Sequence, residues 1–116
     1  MVKTEIINAV ERYLASLPAF GIHARQAVLF GSFARGFGDR DSDIDLVVIA
    51  PEFDGNPEIA LVKKLWRAAS RSDNRIEPIP CGERQWVEDD SRAIIEIARR
   101  EGQRIAAEGS PQPAGA

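Results

Sequence analysis

Apolar residues recur along much of this chain at helical spacing. Thr4 is the expected cap of a first helix that ends before Pro18. The apolar positions of that helix are Ile6, Ile7, Val10, Tyr13, Leu14 and Leu17. A second helix is expected to begin at Asn56-Pro57, where a capping side chain precedes a proline. Its predicted apolar face comprises Leu61, Val62, Leu65, Trp66 and Ala69. From Glu83 onward the pattern is helical again, in two pieces divided near Asp90-Ser91 and ended by Gly102.

Short apolar runs bounded by turn residues predict the strands. Residues 26–31 form one such run, and residues 43–50 give the strongest strand signal in the chain. Residues 75–81 predict a third strand that lies at a sheet edge or splits early, because Pro78 and Pro80 cannot donate to a ladder. Residues 103–107 fit either the end of a helix or a short last strand. Helices that alternate with strands indicate an α/β layer architecture.

Composition limits the classes of protein that need considering. The chain has 116 residues, 44% of them hydrophobic and 28% charged, which predicts one globular domain over residues 1–108. Residues 109–116 are small residues and proline, and we expect a disordered tail there. The net charge of −3 argues against a protein built to coat nucleic acid. The single cysteine, Cys81, and the lack of a signal-like or membrane-length apolar run favour a cytoplasmic protein without a membrane partner.

Two aspartates open the strongest predicted strand. Asp43 and Asp45 are two positions apart, so their side chains share one face, roughly 6.5–7 Å apart along the strand, while Ile44 points to the other face. Two carboxylates on one face repel each other unless a cation lies between them, and hard oxygen ligands suit Mg²⁺ or Mn²⁺. The preceding strand ends at Gly31-Ser32, where glycine permits close approach of a phosphate and the following turn presents N–H groups. Together these features predict attack on a nucleoside triphosphate, with metal neutralising the leaving pyrophosphate.

The motif resembles that of a known superfamily. The segment Gly31-Ser32, then Ala34-Arg35-Gly36, then Ser42-Asp43-Ile44-Asp45-Leu46 is similar to the signature of the DNA polymerase beta-type nucleotidyltransferases. The short chain resembles the minimal nucleotidyltransferase branch, whose members are often antitoxins paired with a HEPN-type RNase toxin. The resemblance implies a nucleotidyltransferase fold, α-β-α-β-α-β, with a small mixed sheet of three or four strands flanked by helices.

The same resemblance implies roles for individual residues. Asp43 and Asp45 would bind the metal, and Gly31 and Ser32 would hold the triphosphate. The family usually has a third carboxylate on a neighbouring strand, which helps to bind metal and to take the proton of the attacking hydroxyl. Glu77 is the candidate here, although it replaces the commoner aspartate and is followed by proline. Arg35 is a candidate phosphate or partner contact, with a surface position closing the turn as the equal alternative.

The resulting functional hypothesis is a Mg²⁺-dependent enzyme that transfers a nucleoside monophosphate, AMP from ATP in the expected case, to a macromolecular hydroxyl. The acceptor would be a HEPN-type toxin or an RNA end, since larger relatives use added domains to enclose the acceptor. The first alternative is a binding module that neutralises a partner protein by stoichiometric capture. A weaker alternative is nucleotidylation of a small molecule held at a homodimer interface. The sequence leaves the nucleotide, the acceptor and the oligomeric state open.

Several other polar and aromatic residues have ordinary structural explanations. A basic stripe on the second helix is expected to be a solvated face, and it comprises Lys63, Lys64, Arg67 and Arg71. Core packing is the expected role of Trp66 and Trp86 rather than stacking on a base. Cys81 is expected to be a small buried apolar residue, and His23 is given no role.

Overall fold

One mixed sheet of four strands organises the protein. The computed structural model describes residues 3–88 and 92–107. The strands are β1 (Gln26–Phe30), β2 (Ile44–Ile49), β3 (Ile76–Cys81) and β4 (Gln103–Ala106), in the spatial order β3-β2-β1-β4. Strand β1 is antiparallel to both β2 and β4, whereas β2 and β3 are parallel. The mixed α/β sheet is therefore confirmed, and the undecided segment near residue 105 is a strand.

In the part of the chain that the structure describes, four helices flank the sheet: α1 (Thr4–Ser16), α2 (Ile59–Ser72), α3 (Glu83–Glu88) and α4 (Ala93–Glu101). Short 3-10 segments occur at Leu17–Phe20 and Pro51–Phe53. A loop over residues 31–43 joins β1 to β2 without a helix between them, and two helices precede β4, so the element order departs from strict alternation at these two points. Helix α4 ends at Gly102, as predicted, whereas Asp90-Ser91 lies outside the described residues.

The predicted starts of the first two helices were wrong by one or two residues. Thr4 is already helical and Lys3 occupies the N-cap position; α2 has Glu58 there rather than Asn56. Neither cap residue makes a side-chain hydrogen bond to the helix. A capping bond stabilises a helix by only about 1 kcal/mol, so burial of the apolar face decides where these helices begin.

The core has two layers, one on each face of the sheet. Helices α1 and α2 cover the face formed by Ala27, Leu29, Ile44, Leu46, Val48, Ile76 and Ile105. Helix α4 covers the opposite face, formed by Val28, Phe30, Val47, Ile49 and Cys81. The Tyr13 hydroxyl joins the two helices of the first layer, because it donates a buried 2.9 Å hydrogen bond to the Leu65 carbonyl. Alternate residues of β1 and β2 thus face different layers.

The expected core residues are buried or partly buried, except Trp66. Cys81 is fully buried, and Trp86 is partly buried against the second layer. Trp66 is 46% exposed, so its assignment to the core was wrong. Helical spacing placed Trp66 at the margin of the apolar face, where a ring can lie largely in solvent.

The edge position of β3 follows the prediction from its prolines. Pro78 pairs with Leu46 and Pro80 with Val48 in the parallel ladder, and β2 is the single neighbour of β3 in the described sheet. An edge strand accommodates proline because one of its sides needs no hydrogen-bond donor.

The described helices include none that is long and apolar enough to span a membrane. The predicted domain limits of 1–108 remain a prediction, and the predicted tail at 109–116 lies outside the described residues.

Candidate active site

Asp43 and Asp45 lie at the start of β2, on the sheet face that α4 covers further along. Asp45 alternates with Ile44 and Leu46, both of which are fully buried in the layer beneath α1 and α2. Burial of these two hydrophobic residues on one face directs the aspartates to the other. Asp45 is partly buried and Asp43 is exposed, so the pair reaches from the sheet surface into solvent.

Glu77 lies directly beside Asp45. The two residues pair across the parallel β2-β3 ladder, which places their side chains next to each other on one face of the sheet. Partial burial raises the pKa of Asp45, and the negative charge of Asp43 raises it further. Desolvation also raises the pKa of Glu77, followed by the charges of Asp43 and Asp45. The three carboxylates therefore form one electrostatically coupled group.

Gly31 forms the corner against which Asp45 rests. Its φ of +75° lies in the left-handed region that favours glycine. A Cβ atom on Gly31 would collide with the Oδ2 atom of Asp45 and stand 3.2 Å from its Cγ atom. The antiparallel pairing of Phe30 with Asp45 brings this corner next to the carboxylate. Two separate features therefore require glycine at position 31: the positive φ of the backbone and the space that the Asp45 carboxylate occupies.

A single compact turn follows the corner. The Arg35 N–H donates to the Gly31 carbonyl at 3.1 Å, and the Phe37 N–H donates to the Ser32 carbonyl at 2.8 Å. This is the turn that the sequence predicted after Gly31-Ser32. Ser32 is partly exposed beside the corner. The Arg35 guanidinium stacks over the ring of Phe37, 5.9 Å from its centroid. Phosphate contact by Arg35 therefore stays a prediction.

The loop between β1 and β2 is held by residues that were not predicted from the sequence. The Asp39 Oδ1 atom accepts hydrogen bonds from the Asp41 N–H at 2.9 Å and from the Ser42 hydroxyl at 3.2 Å. Arg75 donates to both carboxylate oxygens of Asp73 and reaches the Arg40 carbonyl at 3.3 Å. The spacing of Asp39 and Ser42 is typical of side chains that brace a turn, and it could have indicated this role. The contacts of Arg75 depend on the tertiary fold.

The carboxylate oxygens of Asp43, Asp45 and Glu77 have the donor chemistry that suits a divalent cation. Carboxylate oxygens are the ligands that Mg²⁺ and Mn²⁺ prefer, and a cation would relieve the repulsion that raises the pKa values of Asp45 and Glu77. Within residues 3–88 and 92–107, no three Asp, Glu, His or Cys side chains are already positioned to coordinate one metal ion. Side chains would therefore have to close around an ion as it binds.

The fold agrees with comparisons to known proteins. The nucleotidyltransferase domain family matches residues 10–104, which include every candidate site residue, and the chain belongs to that family. A nucleotidyltransferase domain is a module that transfers a nucleoside monophosphate, so the chain is placed among the transferases.

Solved structures support the same fold. A Sulfolobus solfataricus protein, described as a candidate nucleotidyltransferase, superposes with a TM-score of 0.54 at 17% sequence identity. The similarity covers 70% of this chain and 70% of the archaeal chain. Among curated proteins, no sequence matches this one.

The geometry thus brings together most of the residues that the sequence singled out. Gly31 lies against the Asp45 carboxylate, Asp45 pairs with Glu77 across the sheet, and the charge of Asp43 acts on both of the other carboxylates. Ser32 follows the corner. Their individual roles in metal and triphosphate binding are predictions.

Proposed function

We propose that this protein transfers a nucleoside monophosphate, AMP from ATP in the expected case, to a hydroxyl of a macromolecule in a Mg²⁺-dependent reaction. The observation that carries the proposal is the meeting of Asp43, Asp45 and Glu77 beside the Gly31 corner. In this proposal Asp43, Asp45 and Glu77 hold the metal, while Gly31, Ser32 and Arg35 contact the triphosphate. The metal supplies positive charge that offsets the developing charge on the phosphate oxygens.

The reaction is a displacement at the α-phosphorus atom. The acceptor hydroxyl oxygen forms a bond to that phosphorus while the bond to pyrophosphate breaks, and pyrophosphate leaves. The proton of the hydroxyl passes to Glu77 and then to water. The position of Glu77 beside Asp45 across the β2-β3 ladder supports this role, because a base has to lie within reach of the reacting hydroxyl. Ser32 donates a hydrogen bond from its hydroxyl to the triphosphate.

An open site supports a macromolecular acceptor. Asp43 and Glu77 are exposed, and Phe37, on the loop that follows the corner, is 75% exposed. The described elements leave the carboxylates accessible to a large partner from the solvent side. A HEPN-type toxin is the acceptor that the family resemblance favours, and an RNA end is the second possibility.

Transfer can be tested with ATP labelled at either the α- or the γ-phosphate. We expect label to pass from the α-phosphate alone to a protein encoded beside this gene or to RNA, and to require Mg²⁺ or Mn²⁺. The double variant Asp43→Asn and Asp45→Asn should lose transfer. Asp41→Asn is the matched control, because Asp41 is an exposed aspartate of the same loop.

The outcomes separate catalysis from binding alone. Transfer that survives the loss of Asp43 and Asp45 would remove the carboxylates from the mechanism. If the double variant still neutralises a partner toxin as well as the wild type, stoichiometric capture explains the protein better than catalysis. Absence of transfer with every nucleotide and both metals would refute the enzymatic proposal.

A further inference from the structure

The solvent side of α2 carries an unbalanced positive charge. Four of the fifteen lysine and arginine residues of the chain lie on this helix, and none of the eighteen acidic residues does. The four residues, which we term the α2 cationic face, are Lys63, Lys64, Arg67 and Arg71, and all are exposed. They lie opposite Leu65, Ala68 and Ala69, the buried residues of the helix. A cationic face on a protein with a net charge of −3 is a local feature that the overall charge conceals.

The arrangement of these charges works against helix stability. Lys63, Arg67 and Arg71 follow one another at intervals of four residues, the spacing at which like charges on a helix repel. Among the described residues, none of the four cations takes part in an ion pair. Helix α4, in contrast, pairs Arg99 and Arg100 with Glu96. The α2 cationic face therefore lacks the acidic neighbours that usually offset positive charges on a solvent-exposed helix.

An exposed aromatic ring lies beside the same charges. Trp66 is 46% exposed and stands on the margin between the cationic face and the apolar face of α2. Indole rings bury large apolar areas when they can, so a half-exposed one is available for contact. Cations that attract phosphates, next to an aromatic ring on which bases stack, are the two components of single-strand recognition.

The α2 cationic face and the candidate active site do not compete for space. Helix α2 covers the sheet face of Ile44 and Leu46, whereas Asp43 and Asp45 project from the opposite face. The C-terminal end of α2 leads through Asp73 to Arg75, whose guanidinium reaches the carbonyl of Arg40 in the active-site loop. A strand lying along α2 would thus leave the triphosphate corner open.

We propose that the α2 cationic face binds the phosphate backbone of single-stranded RNA and that Trp66 stacks on one of its bases. Single-stranded RNA fits because its bases are unpaired and accessible, whereas the bases of a duplex are already stacked on one another. An acidic protein surface would use the cations and would leave the Trp66 ring without a partner of matching shape. The proposal is independent of nucleotidyl transfer.

Binding can be measured by fluorescence anisotropy with a labelled RNA of about 12 nucleotides, without triphosphate or metal. We expect binding whose log–log dependence on salt has a slope of roughly −2 to −3, the value for three or four contacted phosphates. The variant Lys63→Glu with Arg67→Glu should weaken binding at least about tenfold. In a Trp86→Phe background, RNA should quench the fluorescence of Trp66.

The matched control is Arg25→Glu with Arg104→Glu, which changes net charge equally at exposed cations away from α2. This control should bind RNA like the wild type, and circular dichroism should show both variants folded. Equal weakening in both variants would overturn the assignment to α2. The proposal also fails if the wild type does not bind, if an RNA duplex or polyglutamate binds as tightly as the single strand, or if the Trp66 fluorescence is unchanged. Since the assay contains no reaction, its failure says nothing against transfer activity.

Discussion

Gly31→Ala is the substitution that tests the candidate site most directly. Two separate effects act at this position. The positive φ of Gly31 imposes a conformational cost of about 1–2 kcal/mol on alanine. The new Cβ atom also occupies the space of the Asp45 carboxylate, which has to move by about 1 Å to restore an ordinary contact. If Asp45 acts as proposed, a displacement of this size should reduce the rate of transfer by roughly a hundredfold.

Gly36→Ala separates these two effects. Gly36 belongs to the same turn and has a φ of +83°, yet a Cβ atom placed there would meet nothing within 4 Å. The conformational cost of about 1–2 kcal/mol that the two variants share should lower the melting temperature of each by roughly 4–16 °C, at 4–8 °C per kcal/mol for a small domain. Only Gly31→Ala should lose transfer of α-labelled nucleotide and weaken Mg²⁺-dependent binding of ATP.

The comparison between the two variants can contradict this reasoning in two ways. Full transfer activity in Gly31→Ala would show that the position of Asp45 beside the corner is unimportant. An equal loss of activity in Gly36→Ala would show that strain in the turn, rather than displacement of Asp45, explains the effect. Melting curves of both variants should be recorded without metal, so that ligand binding does not hide the difference in stability.

Three further predictions concern stability and binding. Because the folded-state pKa of Asp45 lies above its ordinary value of 3.8, its contribution favours folding at low pH and is lost as pH rises through the raised value. Without metal, Asp45→Asn should therefore be more stable than the wild type at pH 7 in urea titrations, and the difference should shrink as the pH falls below the raised pKa of Asp45; lower stability at pH 7 would contradict this. Ser32→Ala should weaken ATP binding by about 1–2 kcal/mol in calorimetry, and unchanged affinity would remove Ser32 from the site. Tyr13→Phe should lower the free energy of unfolding by about 1 kcal/mol, because the buried hydrogen bond to Leu65 is lost; unchanged stability would contradict that value.

The sequence predicted those features of the site that depend on local periodicity. The alternation of polar and apolar residues in β2 placed Asp43 and Asp45 on one face and Ile44 on the other, and the buried fractions agree. The end of β1 at a glycine also indicated the corner. Local patterns sufficed here because burial on both faces of a short strand leaves little freedom in the direction of each side chain.

Features that depend on distant contacts were less accessible to prediction. Nothing local indicates that Arg75 reaches the Arg40 carbonyl, or that a Cβ atom on Gly31 would meet Asp45. Trp66 was assigned wrongly because helical spacing gives the direction of a side chain but not the width of the surface that covers it. The helix starts were misplaced because capping preferences are weak compared with packing.

The position of Glu77 shows how a weakly patterned edge strand can still carry a candidate catalytic residue. A slip of one residue between β3 and β2 would turn Glu77 away from Asp45. Two features oppose such a slip: Ile76 is buried beside Ile44 in the layer beneath α1 and α2, and the Ile44 N–H donates to the Arg75 carbonyl at 2.8 Å. Since side chains alternate along a strand, burial of Ile76 on one face directs Glu77 to the face of Asp45. The hydrophobic core therefore sets the register from which the coupled carboxylates follow.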